Sequence, residues 1–421
     1  MSFSNVLEKL NSLVKGGNPH GLLRDAKQTP QSTGLPIAID FGSSCLKVLQ
    51  LQAGESPSLV GAATAEVPEE LRTEALKRLE YQFKALPRLV KASGLKGRRA
   101  VCAIPAWATV CKHFQLSKSS EMSLEQLVEM QIPTQLNCDP SRISYRILEV
   151  TPPNASKPEV IVMAVSQDLV KKLMDAISAS KLDPVGMHSE FTAMLHAFDY
   201  LHKRDSDVNV NTLYLDIGMA TTCVAISHGK KLAFARVIEL GGYSLDEQLS
   251  RQLNCTVKEA RKRRWQLNEG IAPAASLSMA AKSSTRNLED LNVIIDRREG
   301  LATAGLGGTV NSMDHVDMCP PECDLSESID ILTDEVRMCL RFHYAQFPDK
   351  KVERVIFIGG EARHRGLCQQ IAKALKLPAQ IADPFSRIIK TGKEELCEID
   401  ITKPQPGWAV ALGLCLAPTD L

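Results

Sequence analysis

The sequence predicts an α/β protein made of two related halves that face each other across a cleft. Three glycine turns, each following a short apolar strand, support this prediction. The strands cover residues 37–40, 213–216 and 355–358. The first two turns share one order of residue types: an Asp, a Gly, small hydroxyl residues and then a second strand. The third turn is followed by a helix and not by a second strand. The chain therefore contains two copies of one hairpin motif and a third, different glycine turn.

The first turn has the residue types of a phosphate-binding hairpin. Asp40 ends the strand, and Gly42, Ser43 and Ser44 form the turn before a second strand begins. Such a turn directs backbone N–H groups and hydroxyls into one small space, which suits phosphate oxygens. A carboxylate at the strand end can hold Mg²⁺ through water. An ordinary Gly-Ser hairpin turn is the alternative for this stretch alone.

Between and after the turns, hydrophobic periodicity predicts alternating strands and helices. Further strands are expected at 100–104, 110–116, 144–150, 159–165, 231–239 and 379–381. Helices are expected at 69–93, 124–132, 168–180, 191–201, 329–347, 367–375 and 408–416, and one more should start near Leu245. Pro133 should stop the helix that ends at residue 132, and Ser244 with Glu247 has capping-box spacing. The basic run at 257–267 is typical of a solvated helix face.

Composition indicates a soluble globular protein of more than one domain. The chain has 421 residues, of which 44% are hydrophobic and 24% charged. A net charge of +1 argues against a broad nucleic-acid footprint. We find no run long enough to span a bilayer and no signal-peptide core, so we expect a cytoplasmic protein. The twelve cysteines are too sparse for a disulfide scaffold.

Two segments differ from the rest of the chain. Residues 1–33 contain a short amphipathic helix and a polar linker, and the helix could dock on its own protein, on a partner or on a membrane surface. Residues 268–325 are rich in Ala, Ser, Gly and Pro and lose periodicity, which predicts a flexible insertion. A zinc-binding interpretation of five residues is disfavoured because their spacing is not that of a standard zinc knuckle. These residues are His315, Cys319, Cys323, Cys339 and His343.

Seven segments in a fixed order carry a family resemblance. They are residues 37–50, 101–105, 130–133, 236–242, 331–344, 359–367 and 409–416. In this order the chain resembles the PilM family of type IV pilus assembly proteins, a branch of the actin-like ATPase superfamily related to FtsA. The resemblance covers roughly residues 35–417 and excludes the N-terminal helix and the insertion.

The resemblance implies the actin-like ATPase fold, with two related domains around a nucleotide cleft and a small inserted subdomain. The first domain would cover 34–205, with the inserted subdomain at about 111–167, and the C-terminal helix at 404–417 would return to it. The second domain would cover 206–390 and hold the 268–325 insertion.

The resemblance also implies a function. The chain would be an ATP-binding scaffold at the inner face of the inner membrane, attached to the membrane through partners. Beside its inserted subdomain it would bind the N-terminal cytoplasmic peptide of a PilN-like membrane protein, and it would meet other pilus assembly proteins. ATP and Mg²⁺ are the implied cofactors, and oligomerisation is left open.

Most of the implied site residues lie in or beside the three turns. Asp40 and Asp216 would hold Mg²⁺ through water. The residues that would cradle the phosphates are Gly42, Ser43, Ser44, Gly218, Thr221 and Thr222. Lys47 would either reach a phosphate or face solvent. The other nucleotide-binding candidates are Gly241, Gly242, Gly359, Gly360, Glu361 and Arg264. Arg261 stands where the family tends to carry a Glu that reaches the ribose.

Hydrolysis needs a group that orients water against the terminal phosphate. Glu129 and Gln131 are candidates by position only, so we expect slow or absent ATPase activity. A small-molecule kinase is one alternative, since the superfamily includes sugar and acetate kinases. A kinase needs a general-base carboxylate that faces the terminal phosphate, and Asp139, Asp183 and Asp199 do not lie in a motif that indicates this role. An FtsA-like filament protein is another alternative, although FtsA-like proteins carry their amphipathic helix at the C-terminus.

Overall fold

The computed structural model describes residues 34–117, 122–152, 155–202, 210–269 and 324–419. The expected N-terminal amphipathic helix lies outside these residues. So do His315, Cys319 and Cys323, and nearly all of the expected 268–325 insertion. No helix in the described ranges has the length and apolar character needed to cross a membrane.

Six strands form the first sheet, in the order β14-β3-β2-β1-β4-β8. Their bounds are β1 Ile37–Phe41, β2 Cys45–Gln52, β3 Ser58–Glu66, β4 Arg99–Ile104, β8 Asp183–Ser189 and β14 Glu395–Cys397. The strands β1, β2 and β3 pair antiparallel, whereas β4 pairs parallel with both β1 and β8. The predicted hairpin is therefore confirmed at the centre of this sheet.

The second sheet repeats this plan in the order β11-β10-β9-β12-β13. Its strands are β9 Asn211–Ile217, β10 Thr222–His228, β11 Lys231–Ile238, β12 Arg354–Ile358 and β13 Ala379–Ile381. Here β9, β10 and β11 pair antiparallel, and β12 pairs parallel with β9 and β13. Strand order and direction match those of β3-β2-β1-β4-β8, so the two sheets are structural repeats.

A small third sheet has the order β5-β7-β6. It is built from β5 Val110–Gln115, β6 Ile143–Glu149 and β7 Glu159–Ser166, all antiparallel. One helix covers it and buries Val128, Ile132 and Leu136 against it. This sheet and helix occupy the part of the chain expected to form the inserted subdomain.

The helices in the described part of the chain are numbered in chain order. They are α1 Ala75–Ala92, α2 Leu124–Leu136, α3 Gln167–Ala179, α4 Glu190–Ala197, α5 Gly242–Leu253, α6 Val257–Glu269, α7 Ser326–Gln346, α8 Arg365–Leu375 and α9 Ala409–Leu416.

Pro133 does not end α2, contrary to the prediction. The helix continues to Leu136 and ends at Asn137, which has the left-handed φ of 51°. Pro133 cannot donate a hydrogen bond to the carbonyl of Glu129. Since Glu129 is exposed, water can bond that carbonyl, and burial of Leu136 favours one further helical turn.

The start of α5 also differs from the prediction, because Ser244 forms no capping box. The helix begins at Gly242, and its first N–H groups find backbone acceptors in the turn between β9 and β10. Gly242 N–H donates to the carbonyl of Gly218 at 3.0 Å, and Tyr243 N–H donates to that of Met219 at 2.8 Å. These two bonds replace a side-chain cap and fix the helix onto the second glycine turn.

Three strands, β3, β8 and β14, were not predicted. The strand β8 contains Pro184 and Gly186, which weaken the strand pattern, and both are tolerated because β8 lies at a sheet edge. The strand β14 is only three residues long. It pairs with β3, so the chain returns to the first sheet before the final helix begins.

Two short helices, α4 and α9, pack between the two large sheets. Their buried side chains join one core cluster with residues of both sheets, for example Leu49 and Tyr214. The two helices approach so closely that a Cβ atom on Gly413 of α9 would lie 1.6 Å from the carbonyl oxygen of Ala193 in α4. Only a glycine fits here, and the sheets keep their mutual position through this contact.

We predict that Gly413→Val destabilises the protein by at least about 2 kcal/mol, because the new side chain forces α4 and α9 apart. Urea unfolding monitored by circular dichroism measures the change. Leu416→Ala, at a side chain that is 39% exposed on the same helix, is the control and should change stability much less. Equal effects of the two substitutions would show that the helix contact is not a close one.

Candidate nucleotide-binding site

Asp40 and Asp216 occupy equivalent positions in the two repeated sheets. Asp40 lies near the end of β1 and pairs in register with Lys47 of β2, while Asp216 lies near the end of β9 and pairs with Cys223 of β10. Asp40 is buried and Asp216 is half-buried. Each carboxyl thus stands beside a glycine turn, as the repeated motif predicts.

Lys47 turns toward Asp40 and not toward solvent. Its Nζ lies 2.9 Å from Asp40 Oδ2, and its side chain is only 13% exposed. Burial alone would lower the pKa of Lys47, but the nearby Asp40, Cys45 and Asp216 raise it overall. Lys47 therefore stays charged beside the first turn, where a cation can meet a phosphate.

Glu190 is a third carboxyl at this place, and the sequence analysis did not identify it. Its Oε1 accepts a hydrogen bond from the backbone N–H of Ala106 at 2.9 Å. Burial raises the pKa of Glu190 to about 8, and Asp40 and Asp216 add to the rise. Burial likewise raises the pKa of Asp216 to about 6. Both shifts are opposed by Lys47, so the four groups share one electrostatic site.

Glu190 was missed because it is the first residue of α4, directly after the unpredicted edge strand β8. The detectable signal is a helix start: Ser189 is the N-cap, and its hydroxyl accepts from Thr192 N–H at 3.2 Å. Glu129 and Gln131, the candidates chosen by position, lie instead on α2 above the three-stranded sheet. Glu129 is exposed there. Burial raises the pKa of Tyr145 in β6, and the negative charge of Glu129 adds to the rise.

The second glycine turn is held together by its own backbone. Gly218 N–H donates to the carbonyl of Thr221 at 2.9 Å. Thr222 is fully buried, and its hydroxyl donates to the carbonyl of Leu240 at 2.8 Å, so it braces the turn from inside. Thr221 remains half-exposed, as do Ser43 and Ser44 in the first turn.

The third turn packs directly against the second carboxyl. Gly359 has a φ of 90°, and a Cβ atom there would lie 2.4 Å from Asp216 Oδ1. A side chain at this position is excluded both by the backbone conformation and by space. The following residue, Gly360, has open space around its Cα. The three turns therefore meet around Asp216.

An arginine network lies beside the start of α5. We use this name for Glu69, Asp246, Arg261, Arg264 and Glu361. Arg264 is fully buried and lies 2.7 Å from both Asp246 and Glu361. Arg261 lies 2.6 Å from Asp246 and 2.6 Å from Glu69, which belongs to the segment between β3 and α1. The basic run is therefore not simply a solvated helix face, and one of its ion pairs crosses the cleft.

The arginine network changes the setting of Arg264 and Glu361, two of the predicted nucleotide-binding residues. Burial alone would lower the pKa of Arg264, but Glu361 and Asp246 raise it overall. Arg264 uses its Nε and Nη1 in these ion pairs, and its buried Nη2 has no hydrogen-bond partner.

The donor set at the three carboxyls fits a hard cation. Carboxylate oxygens are the protein ligands that Mg²⁺ prefers. In the described ranges no group of three or more His, Cys, Asp and Glu side chains is arranged to hold a metal ion directly. The role of Asp40 and Asp216 as water-mediated Mg²⁺ ligands stays a prediction. The buried Cys339 and His343 lie elsewhere, on α7, where His343 Nε2 is 2.8 Å from His228 Nε2.

We predict an unusual pH dependence of stability without Mg²⁺. An acid whose pKa is raised by folding stabilises the folded state less as the pH rises from its unfolded value through its folded value. The raised pKa values of Asp216, about 6, and Glu190, about 8, should therefore lower stability as the pH rises from about 4 to about 8.

Glu190→Gln should flatten this slope above pH 6 and raise stability at pH 8 by on the order of 1 kcal/mol or more. Urea unfolding at several pH values measures the free energy of unfolding and its slope. Glu80→Gln, at an exposed site on α1, is the control and should keep the wild-type slope. A slope unchanged by Glu190→Gln would contradict the burial of this carboxyl between two aspartates.

Comparison with known proteins places the chain in a family. The model of the family described as type IV pilus assembly protein PilM matches residues 38–272 and 325–418. A solved structure of a PilM-PilN type IV pilus biogenesis complex is similar, with 19% identity and a TM-score of 0.65, covering 92% of this chain and 98% of that chain. The ethanolamine utilization protein EutJ from Carboxydothermus hydrogenoformans matches at 12% identity and a TM-score of 0.44, covering 98% and 97%.

The predicted actin-like ATPase fold is confirmed by the likeness to the PilM structure and by the repeated sheets. The family match covers most of the chain and skips residues 273–324, which are nearly all of the insertion expected at 268–325. This chain belongs to the PilM family of type IV pilus assembly proteins.

Proposed function

We propose that this protein is an ATP-binding scaffold of a type IV pilus assembly complex, located on the cytoplasmic side of the inner membrane. The observation that carries the nucleotide part is the convergence of Asp40, Asp216 and Glu190 on one place, with Lys47 beside them. Three carboxyls facing one lysine leave negative charge that a divalent cation would balance. Mg²⁺ would supply that charge and neutralise the phosphates.

The two glycine turns would hold the phosphates from opposite sides. Gly42, Ser43 and Ser44 would act from the first sheet, and Gly218 and Thr221 from the second. A ligand that touches both sheets favours the closed arrangement of the two domains, because it binds that state better than an open one. The nucleotide would thus act as a clamp on domain closure.

Glu190 is the group best placed to orient water against a terminal phosphate. A general base works best when its pKa lies near the operating pH, and burial brings the pKa of Glu190 to about 8. It is held by the N–H of Ala106, and its other oxygen lies 3.8 Å from Cys223 Sγ. Because both oxygens of Glu190 already have partners in the protein, we expect slow turnover.

The partner part of the proposal rests on the groove beside the three-stranded sheet. This groove runs between β5, β11, α1 and α7 and has a volume of about 1540 Å³. Its apolar side is lined by Trp107, His113, Phe234, Met338 and Phe342. Met338 is 38% exposed and Phe342 is 43% exposed, so α7 presents an apolar surface to the groove.

We propose that this groove takes the N-terminal peptide of a PilN-like membrane protein. The likeness to the PilM-PilN complex supports the class of partner, and the groove supports the place. A short apolar peptide can bury its side chains against the aromatic residues of the groove. Binding of that peptide would attach the scaffold to the membrane.

We predict that Asp40→Asn lowers the affinity for Mg-ATP at least about tenfold, since it removes one carboxylate from the cation site. Isothermal titration calorimetry measures the affinity, and phosphate release is followed in parallel. Asp175→Asn, at an exposed position of α3, is the matched control. Wild-type affinity in Asp40→Asn would contradict the site, and rapid phosphate release by the wild type would favour the kinase alternative.

We predict that Phe342→Ala weakens binding of the PilN-like peptide about tenfold, because it removes a large apolar contact. Fluorescence anisotropy with a labelled synthetic peptide from the PilN-like protein of the same organism measures the change. Ile331→Ala, 49% exposed on the same helix but outside the groove, should bind normally. Equal loss in both variants, or in neither, would place the peptide elsewhere.

A further inference from the structure

Arg78 is a buried guanidinium without a counterion. The residue is 2% exposed and lies on the inner face of α1. Its Nη1 donates to the backbone carbonyl of Arg72 at 2.5 Å. Within the described part of the chain, no carboxylate lies at ion-pair distance from it. An arginine has five N–H donors, so most of its capacity is unused.

The surroundings of Arg78 do not neutralise it. Its guanidinium carbon lies over the ring of Trp107 at 6.0 Å from the ring centre, a cation–π contact at the limit of its range that supplies no opposite charge. Burial lowers the pKa of Arg78 to about 10, and the more distant Glu190 only partly offsets this. The nearby acidic residues pair with other cations. Glu66 and Glu69 form ion pairs with Arg72, and Glu74 forms one with Lys77. A buried charge in this state is costly unless a ligand pairs with it.

Arg78 lies where the groove meets the second glycine turn. It lines the same cavity as Trp107 and Thr221, and Thr221 belongs to the second turn. One helical turn further along α1, the Gln82 amide donates to the carbonyl of Gly42 at 2.8 Å, in the first turn. The helix therefore presents Arg78 to a cavity that borders the second glycine turn, and the next turn of the same helix contacts the first glycine turn.

We propose that Arg78 is the centre of an oxyanion site at the inner end of the groove and that its ligand is a phosphate group. A guanidinium recognises phosphate through parallel N–H···O bonds, which its unused donors can supply. The phosphate would be the terminal group of a nucleotide held by the two turns, or free inorganic phosphate. Only the nucleotide source rests on the proposed function.

Inorganic phosphate tests the site without any nucleotide. Sodium phosphate should raise the melting temperature of the wild type above that in sodium chloride of equal ionic strength, because a ligand that binds only the folded state stabilises it. In Arg78→Met the phosphate affinity should fall about tenfold or more. Arg88→Met, at an exposed position on the same helix, should respond like the wild type.

Arg78→Met should also melt at a higher temperature than the wild type in chloride, since an apolar side chain replaces a buried unpaired charge. This result would show that the variant is folded and that its loss of phosphate binding is specific.

The nucleotide source is tested by comparing ADP with a non-hydrolysable ATP analogue. If the terminal phosphate reaches Arg78, Arg78→Met should lose about tenfold or more in affinity for the analogue and keep its affinity for ADP. If the site takes free phosphate only, both nucleotides should bind as in the wild type.

The inference is overturned if Arg78→Met retains both the phosphate stabilisation and the analogue-to-ADP ratio of the wild type. Should the wild type bind phosphate through Arg78 but no nucleotide, the oxyanion site stands and the nucleotide function fails.

Discussion

The structure depends on one electrostatic constraint, the meeting of three carboxyls and one lysine between two repeated sheets. Asp40, Asp216 and Glu190 come from different parts of the chain, and Lys47 contacts the first of them at 2.9 Å. Burial raises the pKa of Glu190 and Asp216, which means that the folded protein buries these two acids at a cost. In the function that we propose, a cation with bound phosphates would remove that cost and would link nucleotide binding to domain closure.

The fold produces this meeting through repetition and a shared middle layer. The same strand order in both sheets places an Asp-Gly turn at the same corner of each. The packing of α4 on α9 at Gly413 then fixes the sheets relative to each other. Because Glu190 is the first residue of α4, the same contact that joins the sheets also sets the position of the third carboxyl.

The sequence predicted those parts of the site that follow from local residue order. A strand, an Asp and a Gly turn are contiguous, so Asp40 and Asp216 were found without any knowledge of the fold. Glu190 was not found, because its role comes from distant neighbours and its edge strand has a weak pattern. The burial of Arg264 was missed for the same reason: its partners Asp246 and Glu361 are 18 and 97 residues away in the chain. Pro133 shows that a local helix breaker yields to tertiary packing.

The most direct test of the proposed cation site is the number of protons released when Mg-ATP binds at pH 7. Calorimetry in buffers of different ionisation enthalpy measures this number. We predict release of about one proton, because a cation at the three carboxyls would lower the pKa of Glu190 and Asp216. Binding without proton release, or binding that does not need Mg²⁺, would contradict the claim that these carboxyls form the cation site.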